Sequence, residues 1–309
     1  MSYRLADFGS YTVGGRLNAV EDGEPRTIRF TRSASYEYDP RGDFAVEHAY
    51  VQYYVPEHRR PGPPVVLVHG GGMSGSCWET TPDGRPGWLH LLLVRGYEVH
   101  VIDNVERGRA GFVPGLWDGE PILRSLDEAW TLFRLGTPEG FRSRIPFERQ
   151  LFPVQHFDEF CRCFVPRWLG TSPLQVAALV ALLQRTGPAL VICHSQGGEI
   201  TFDAHAVAPE LFAGLIALEP SAVPDAPDQM ATTPFVLCAG DYMHAAPHWT
   251  ERNQTWRDHV TRLAAKGSPA RMLDPENGLS PGNSHMLMMD RNSAAVLDAA
   301  LSAISELTG

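Results

Sequence analysis

The sequence predicts an α/β protein built on a doubly wound, mostly parallel sheet. Short apolar runs of strand type at residues 64–68, 97–103, 190–193 and 214–218 are separated by stretches with helical spacing. Such an alternation joins parallel strands by right-handed crossovers and covers both faces of the sheet. With 309 residues, 43% of them hydrophobic, the chain is long enough to bury this sheet as one domain, residues 1–309.

The elements can be assigned in order along the chain. Residues 1–32 carry turn signals at 14–15 and 22–23 between short strand-like pieces, and residues 44–55 alternate like an antiparallel edge strand. From residue 65 onward, strand and helix patterns alternate without an internal repeat. Helices are predicted at residues 88–94, 172–186, 199–207, 249–266 and 293–307.

Residues 112–171 break this alternation and are too long for an ordinary crossover loop. We expect an inserted cap there. The segment is rich in large aromatic residues, which either give the cap a small core of its own or together form an apolar roof that favours a hydrophobic or aryl ligand. The aromatic residues in question are Trp117, Trp130, Phe133, Phe141, Phe147, Phe152, Phe157, Phe160, Phe164 and Trp168.

Charge and cysteine content exclude several classes of protein. The formal net charge is −10, and no run of Lys or Arg interrupts the acidic balance, so we expect no nucleic-acid partner and no anionic membrane surface. Five cysteines, several in apolar surroundings, do not suggest a disulfide framework. Without a leader pattern or a run of about 20 apolar residues, the expected location is cytoplasmic. A homodimer is left open.

The most informative motif is at residues 193–197, C-H-S-Q-G, where a strand pattern breaks into Ser195 and then continues as a helix. This is the form of a nucleophile elbow, in which a strained turn exposes the serine Oγ. A glycine-rich tight turn without function would give a similar pattern, so the partners of Ser195 decide between the two interpretations.

A second motif follows the strand pattern at residues 64–68. It reads H-G-G-G from His69 to Gly72. Glycines allow the backbone to approach a ligand closely and to direct N–H groups toward it, as an oxyanion hole requires. We interpret His69 as a hydrogen-bonding support for this loop rather than a group that transfers protons.

A general base and an acid complete the pattern. His285 lies in a loop before the final helix, after the last strand, where the order serine, acid, histidine requires the base. Two carboxylates could orient it, because Glu219 and Asp241 each follow a buried strand pattern. The later position is the more usual one for the acid, so the pattern alone favours Asp241.

Four motifs resemble a small branch of bacterial α/β-hydrolase carboxylesterases. They are W-E-T-T-P-D-G-R-P-G-W at residues 78–88, H-S-Q-G at 194–197, the Glu219-Pro220 pair, and G-N-S-H-M at 282–286. The resemblance extends from about residue 50 to the end of the chain. One characterised member has adjacent cysteines where this chain has two glycines in its oxyanion loop, so a vicinal disulfide is absent here.

The resemblance implies an α/β-hydrolase fold with an inserted cap at about residues 112–171. It implies Ser195 as nucleophile, His285 as base and Glu219, not Asp241, as acid, with the N–H groups of Gly71 and Gln196 as oxyanion donors. The expected substrate is a hydrophobic or aryl ester or a lactone, and no metal or organic cofactor is expected.

Other functions, within the hydrolases and outside them, are compatible with parts of this pattern. A thioesterase, a carbon–carbon bond hydrolase or a non-catalytic binding protein could have the same fold. A dinucleotide-binding oxidoreductase is disfavoured because its G-x-G-x-x-G fingerprint is missing.

Overall fold

The computed structural model describes residues 3–113, 115–224, 230 and 232–308. Its centre is an eight-stranded sheet with the strand order β1-β4-β6-β5-β7-β8-β9-β10. The strands of the described residues are β1 Leu5–Val20, β2 Arg26–Arg29, β3 Ser35–Tyr38, β4 Gly42–Pro56, β5 Val65–Val68, β6 Val99–Asp103, β7 Ala189–His194, β8 Phe212–Leu218, β9 Phe235–Cys238 and β10 Ala270–Leu273. Of these, β2 and β3 pair with each other in a separate two-stranded sheet. The helices of α type are α1 Trp88–Val94, α2 Leu126–Leu132, α3 Phe157–Cys161, α4 Ser172–Thr186, α5 Gln196–Val207, α6 Pro247–Ala265 and α7 Ser293–Thr308.

The sheet is parallel from β6 to β10, and only β1 and β4 run antiparallel to their neighbours. The central strands are buried on both faces, as their continuous apolar sequences require. Two apolar clusters fill the space between the sheet and the helices on its two faces. The predicted doubly wound, mostly parallel fold is therefore confirmed.

The N-terminal prediction was wrong in two respects. Residues 5–20 form one long strand rather than short pieces, and β1, not β4, is the edge strand because β4 lies between β1 and β6. The expected turn at Gly14 and Gly15 is a local irregularity within β1, where both glycines have positive φ. The side-chain periodicity of β4 is that of any strand with one polar face, so it did not indicate position within the sheet.

Candidate active site

Ser195 lies between β7 and α5 in a backbone conformation with φ 51° and ψ −120°. A residue other than glycine pays about 1–3 kcal/mol for such a conformation, so the surrounding structure has to impose it. The N–H of Ser195 donates to the carbonyl of Leu218 at 3.0 Å, and its carbonyl accepts from the N–H groups of Gly198 and Ser221, each at 2.9 Å. These bonds fix the elbow against the end of β8.

The glycine after the elbow is required by close packing. A Cβ at Gly197 would lie 2.5 Å from the carbonyl oxygen of His69 and 3.0 Å from that of Val68. Both are backbone atoms that cannot move aside, so α5 begins against the end of β5 only because residue 197 has no side chain. The predicted elbow and glycine-rich loop are thus in direct contact.

The glycine-rich loop is supported by His69, as its sequence position suggested. The Nε2 of His69 accepts from the N–H of Asn104 at 3.1 Å, so its Nδ1 carries the proton and donates to the carbonyl of Gly70 at 2.9 Å. Burial, reinforced by the charge of Arg107, lowers the pKa of His69 to about 4. The neutral imidazole is therefore a fixed structural support.

The two predicted oxyanion donors are placed beside the elbow. Gln196 immediately follows Ser195, and a Cβ on Gly70, the neighbour of Gly71, would be 3.1 Å from the Cβ of Ser195. Within the described part of the chain, no protein acceptor takes the N–H of Gly71 or of Gln196. Both remain available to a ligand.

The structure brings Glu219, and not Asp241, to the imidazole of His285. The Oε2 of Glu219 lies 2.5 Å from Nδ1 of His285, and both side chains are buried. Because the carboxylate is ionised, Nδ1 carries the proton and donates it, which leaves Nε2 of His285 as an acceptor. His285 also lies beside the elbow, since its ring centroid is 4.6 Å from that of His194.

Glu219 has a partner that the sequence did not predict. The Nη1 of Arg134 donates to Oε2 of Glu219 at 2.9 Å and its Nη2 donates to Oε1, while the N–H of Gly240 donates to Oε1 at 2.6 Å. Burial alone would raise the pKa of Glu219, but the charge of Arg134 and the bond from His285 outweigh it and lower the pKa to about 2. The acid is ionised throughout the physiological range.

His285 is kept neutral at physiological pH. Burial lowers its pKa, Glu219 partly offsets this, and Arg134 and Arg252 lower it again. Aromatic rings enclose the imidazole: Phe133 stacks on it at 5.5 Å between centroids and Trp249 lies at 5.1 Å. A neutral imidazole with a free Nε2 can accept a proton.

Asp241 instead shapes the loop that carries His285. Its Oδ2 accepts from the N–H of Gly282 at 2.8 Å, and its own N–H donates to the carbonyl of Asn283 at 2.7 Å. Its carbonyl accepts from Nε of Arg134 at 2.8 Å. Asp241 therefore supports the site without contacting the imidazole.

Most aromatic residues of the predicted cap (residues 112–171, called the cap segment) fall into two groups; Phe147 belongs to neither, because it stacks on Tyr242 at 4.8 Å between centroids. The larger group forms a core by ring-to-ring packing, and only Phe133 of that group reaches His285. The smaller group, Phe112, Trp117 and Trp168, lines a cavity of about 470 Å³ whose lining includes none of the predicted site residues. Most of these rings stabilise the segment rather than cover Ser195.

Sequence reasoning missed three arginines, Arg134, Arg107 and Arg167. The Oε1 of Gln196 accepts from Nη2 of Arg107 at 3.3 Å and from Nη1 of Arg167 at 3.1 Å. All three lie in or near the segment where the sequence resembles the esterases least. The only available signal was the density of arginine among the aromatic residues there.

Two known proteins are similar to this chain. A solved structure described as a novel bacterial esterase is 30% identical, with coverage of 100% of this chain and 98% of that one, and its TM-score is 0.86. The chain belongs to the α/β-hydrolase esterases. A probable secreted lipase, phiG, from a fungus (strain ATCC 74256) is 33% identical over 184 residues, 57% of this chain. The match spans half the length of that lipase. No protein-family model matches the sequence.

The described residues were also compared with the requirements of a membrane span, a metal site and a disulfide. None of their helices is long and apolar enough to cross a membrane. No group of three or more His, Cys, Asp or Glu side chains in the same part of the chain is arranged to hold a metal ion. The five cysteines are unpaired, and only Cys163 among them is exposed.

Proposed function

We propose that this hydrolase cleaves carboxylic esters through a covalent acyl-enzyme formed on Ser195. The observation that carries the proposal is the buried hydrogen bond between Nδ1 of His285 and Glu219, placed beside a strained serine elbow. It orients the free Nε2 of His285 as a base and stabilises the imidazolium that forms when the base takes a proton.

The first half of the reaction forms the acyl-enzyme. Nε2 of His285 takes the hydroxyl proton while Oγ of Ser195 bonds to the ester carbonyl carbon. The N–H groups of Gly71 and Gln196 stabilise the oxyanion, each by roughly 3–4 kcal/mol if they act like typical donors. The carbon–oxygen bond to the alcohol then breaks, and His285 returns its proton to the departing oxygen.

The second half reverses these roles with water. His285 takes a proton from water as the hydroxide oxygen bonds to the acyl carbon, and the bond to Oγ of Ser195 then breaks. Serine recovers the proton from His285, and the carboxylic acid leaves.

The substrate class follows from the surroundings of His285. Phe133 and Trp249 pack on the imidazole and make its surroundings apolar, which supports a hydrophobic or aryl ester. A lactone or a thioester would meet the same groups. The fungal relative named a lipase also supports an ester substrate.

The test is a panel of aryl esters, lactones and thioesters assayed with the wild type and with Ser195→Ala. We expect ester turnover that falls by about 10⁶ in kcat in the variant, as for other serine nucleophiles. An organophosphate should add one covalent group, located at Ser195 by peptide mass spectrometry. Ser302→Ala, on the surface of α7, is the matched control. Turnover that survives in Ser195→Ala would refute the proposal.

The cellular setting is part of the proposal. Five unpaired cysteines suit the reducing cytoplasm, although the fungal relative is named as secreted. The partners we expect are small-molecule esters.

A further inference from the structure

Arg167 lies beside the oxyanion loop, although it belongs to the cap segment. Its backbone pairs with Ile122 in an isolated antiparallel bridge, and its neighbours Pro166 and Trp168 line the 470 Å³ cavity. The Arg167 side chain points elsewhere: a Cβ built on Gly71 would be 2.5 Å from its Nη1. The guanidinium is therefore adjacent to a predicted oxyanion donor.

A second guanidinium, that of Arg107, contacts the same amide oxygen of Gln196 as Arg167 does. Arg107 is fully buried; its Nε donates to Glu106 at 2.7 Å and its Nη2 to Oε1 of Gln196 at 3.3 Å. Its Nη1 is buried and has no hydrogen-bond partner among the described residues. A buried donor of a charged group without an acceptor is costly, and an acceptor supplied by a ligand would remove that cost.

The positive charge at this position is only partly neutralised. Burial lowers the pKa of Arg107 and of Arg124, and the charge of Arg167 lowers both further, so Arg167 repels each of the other two guanidinium groups. Arg107 pairs with Glu106 and Arg124 with Glu128. In the described part of the chain Arg167 pairs with no carboxylate, and its side-chain partner is the neutral amide of Gln196.

Supporting the Gln196 side chain does not account for this arrangement. The amide oxygen has two lone pairs and accepts from both guanidinium groups, at 3.1 and 3.3 Å, but this leaves Nη1 of Arg107 without an acceptor and Arg167 without a carboxylate among the described residues. A carboxylate would accept from both guanidinium groups and neutralise the excess charge, because its two oxygens match the planar donors of arginine.

We propose that Arg167 and Arg107 form an anion subsite beside Ser195, and that the preferred substrate is an ester carrying a free carboxylate a few bonds from the reacting carbonyl. This inference rests on the proposed ester hydrolysis and names its substrate class. The apolar surroundings of His285 then suit the uncharged part of the same molecule.

The test compares two activated esters of similar size, 4-nitrophenyl butyrate and the mono-4-nitrophenyl ester of glutaric acid. We expect kcat/KM of the wild type to favour the charged ester, and Arg167→Met to lower that ratio on the order of 10- to 100-fold, as for a lost hydrogen bond to a charged group. Arg167→Lys should retain part of the preference. Arg162→Met, an exposed cap arginine, should leave the ratio unchanged.

Each alternative result has a distinct meaning. A wild type that prefers the butyrate ester, or an equal loss on both esters in Arg167→Met, would overturn the subsite, the latter because it indicates a role at the oxyanion. If Arg167→Met does not fold, competitive inhibition of the wild type by glutarate but not by glutaramide supports the subsite, and equal inhibition refutes it. If neither ester is turned over by the wild type, the proposed function itself fails.

Discussion

The acid half of the site (Glu219, His285 and Arg134) and its oxyanion half (Gly71, Gln196, Arg107 and Arg167) differ in how far their polar groups are satisfied. In the acid half four N–H donors occupy the two oxygens of Glu219, and all three side chains are buried. In the oxyanion half the N–H groups of Gly71 and Gln196 and one nitrogen of Arg107 have no acceptor among the described residues.

The difference supports the proposal that the oxyanion half receives the substrate. Glu219, which must stay ionised during turnover, benefits from a saturated, buried environment, because its pKa and orientation are then fixed. A group that must bind developing charge has to keep its donors free until that charge forms. The predictions below separate the two halves, beginning with the largest effect.

Glu219→Gln should abolish most of the activity. An amide cannot offset the imidazolium charge and allows the wrong tautomer of His285, so kcat should fall by something on the order of 10⁴. Asp241→Asn, which alters the adjacent loop, should cost far less. Steady-state kinetics of both variants, each shown to be folded by circular dichroism, provide the check. If Asp241→Asn lost its activity while Glu219→Gln remained active, the acid would be Asp241, the residue that the sequence pattern alone favoured.

Arg134→Met should change both stability and pH dependence. Leaving Glu219 buried without its cation should lower the free energy of unfolding by about 3–5 kcal/mol. Removing a positive charge also raises the pKa of the coupled Glu219–His285 pair, whichever residue takes the proton, so the acidic limb of kcat/KM should move to higher pH. Urea unfolding and a pH–rate profile measure the two effects.

Two further variants show whether Arg134 acts through the triad. Arg134→Lys keeps the charge and should keep the acidic limb near that of the wild type. Arg144→Met removes a cap arginine that stacks on Phe141 at 4.5 Å, away from the triad, and should leave the limb in place. An unshifted limb in Arg134→Met would mean that Arg134 only stabilises the fold.

Gly71→Ala tests the oxyanion half. The new methyl group would displace the ends of Arg167 and Gln196, which lie 2.5 and 2.8 Å from its position. Misplacing groups beside the reacting atoms by about 1 Å commonly costs on the order of 10² in rate. We expect kcat/KM to fall by that factor while the acidic limb stays unchanged. Gly170→Ala, in open space, is the control. A shifted limb would show that the two halves are coupled.

The sequence predicted the parts of this site that local patterns encode. The elbow at Ser195 and helices 88–94 and 172–186 could be recognised because strand, turn and helix signals are local. The contact between Arg134 and Glu219 could not be recognised in the sequence, because it joins residues 85 positions apart and depends on a positive φ at both residues. Pattern alone favoured Asp241, and only the family resemblance pointed to Glu219.

The order of β1 and β4 in the sheet was unpredictable for a related reason. Alternation of side chains reports that one face of a strand is polar, but not which strands lie beside it. Sheet order is fixed by pairing between distant segments, as between β4 and β6.

The smallest expected effect is on the free energy of unfolding at acidic pH. His69, which supports the glycine-rich loop, and Glu219, in the acid half, should lower it over different pH ranges. The pKa of His69 is about 4, below its ordinary 6.5, so between these values only the unfolded chain binds the proton. The free energy of unfolding therefore falls as the pH drops through this range, by about 1 kcal/mol from His69 alone at pH 5.5. Glu219, whose pKa is about 2 against an ordinary 4.5, contributes fully above pH 4.5 and loses that contribution as the pH falls from 4.5 to about 2. His69→Gln retains an acceptor for Asn104 and a donor for Gly70 but has no group that titrates in this range. Urea unfolding should therefore show a smaller loss of the free energy of unfolding between pH 7 and 5.5 than in the wild type. The exposed control, His58→Gln, should lose as much as the wild type. Equal losses in all three would show that His69 does not contribute to the acid sensitivity of the fold.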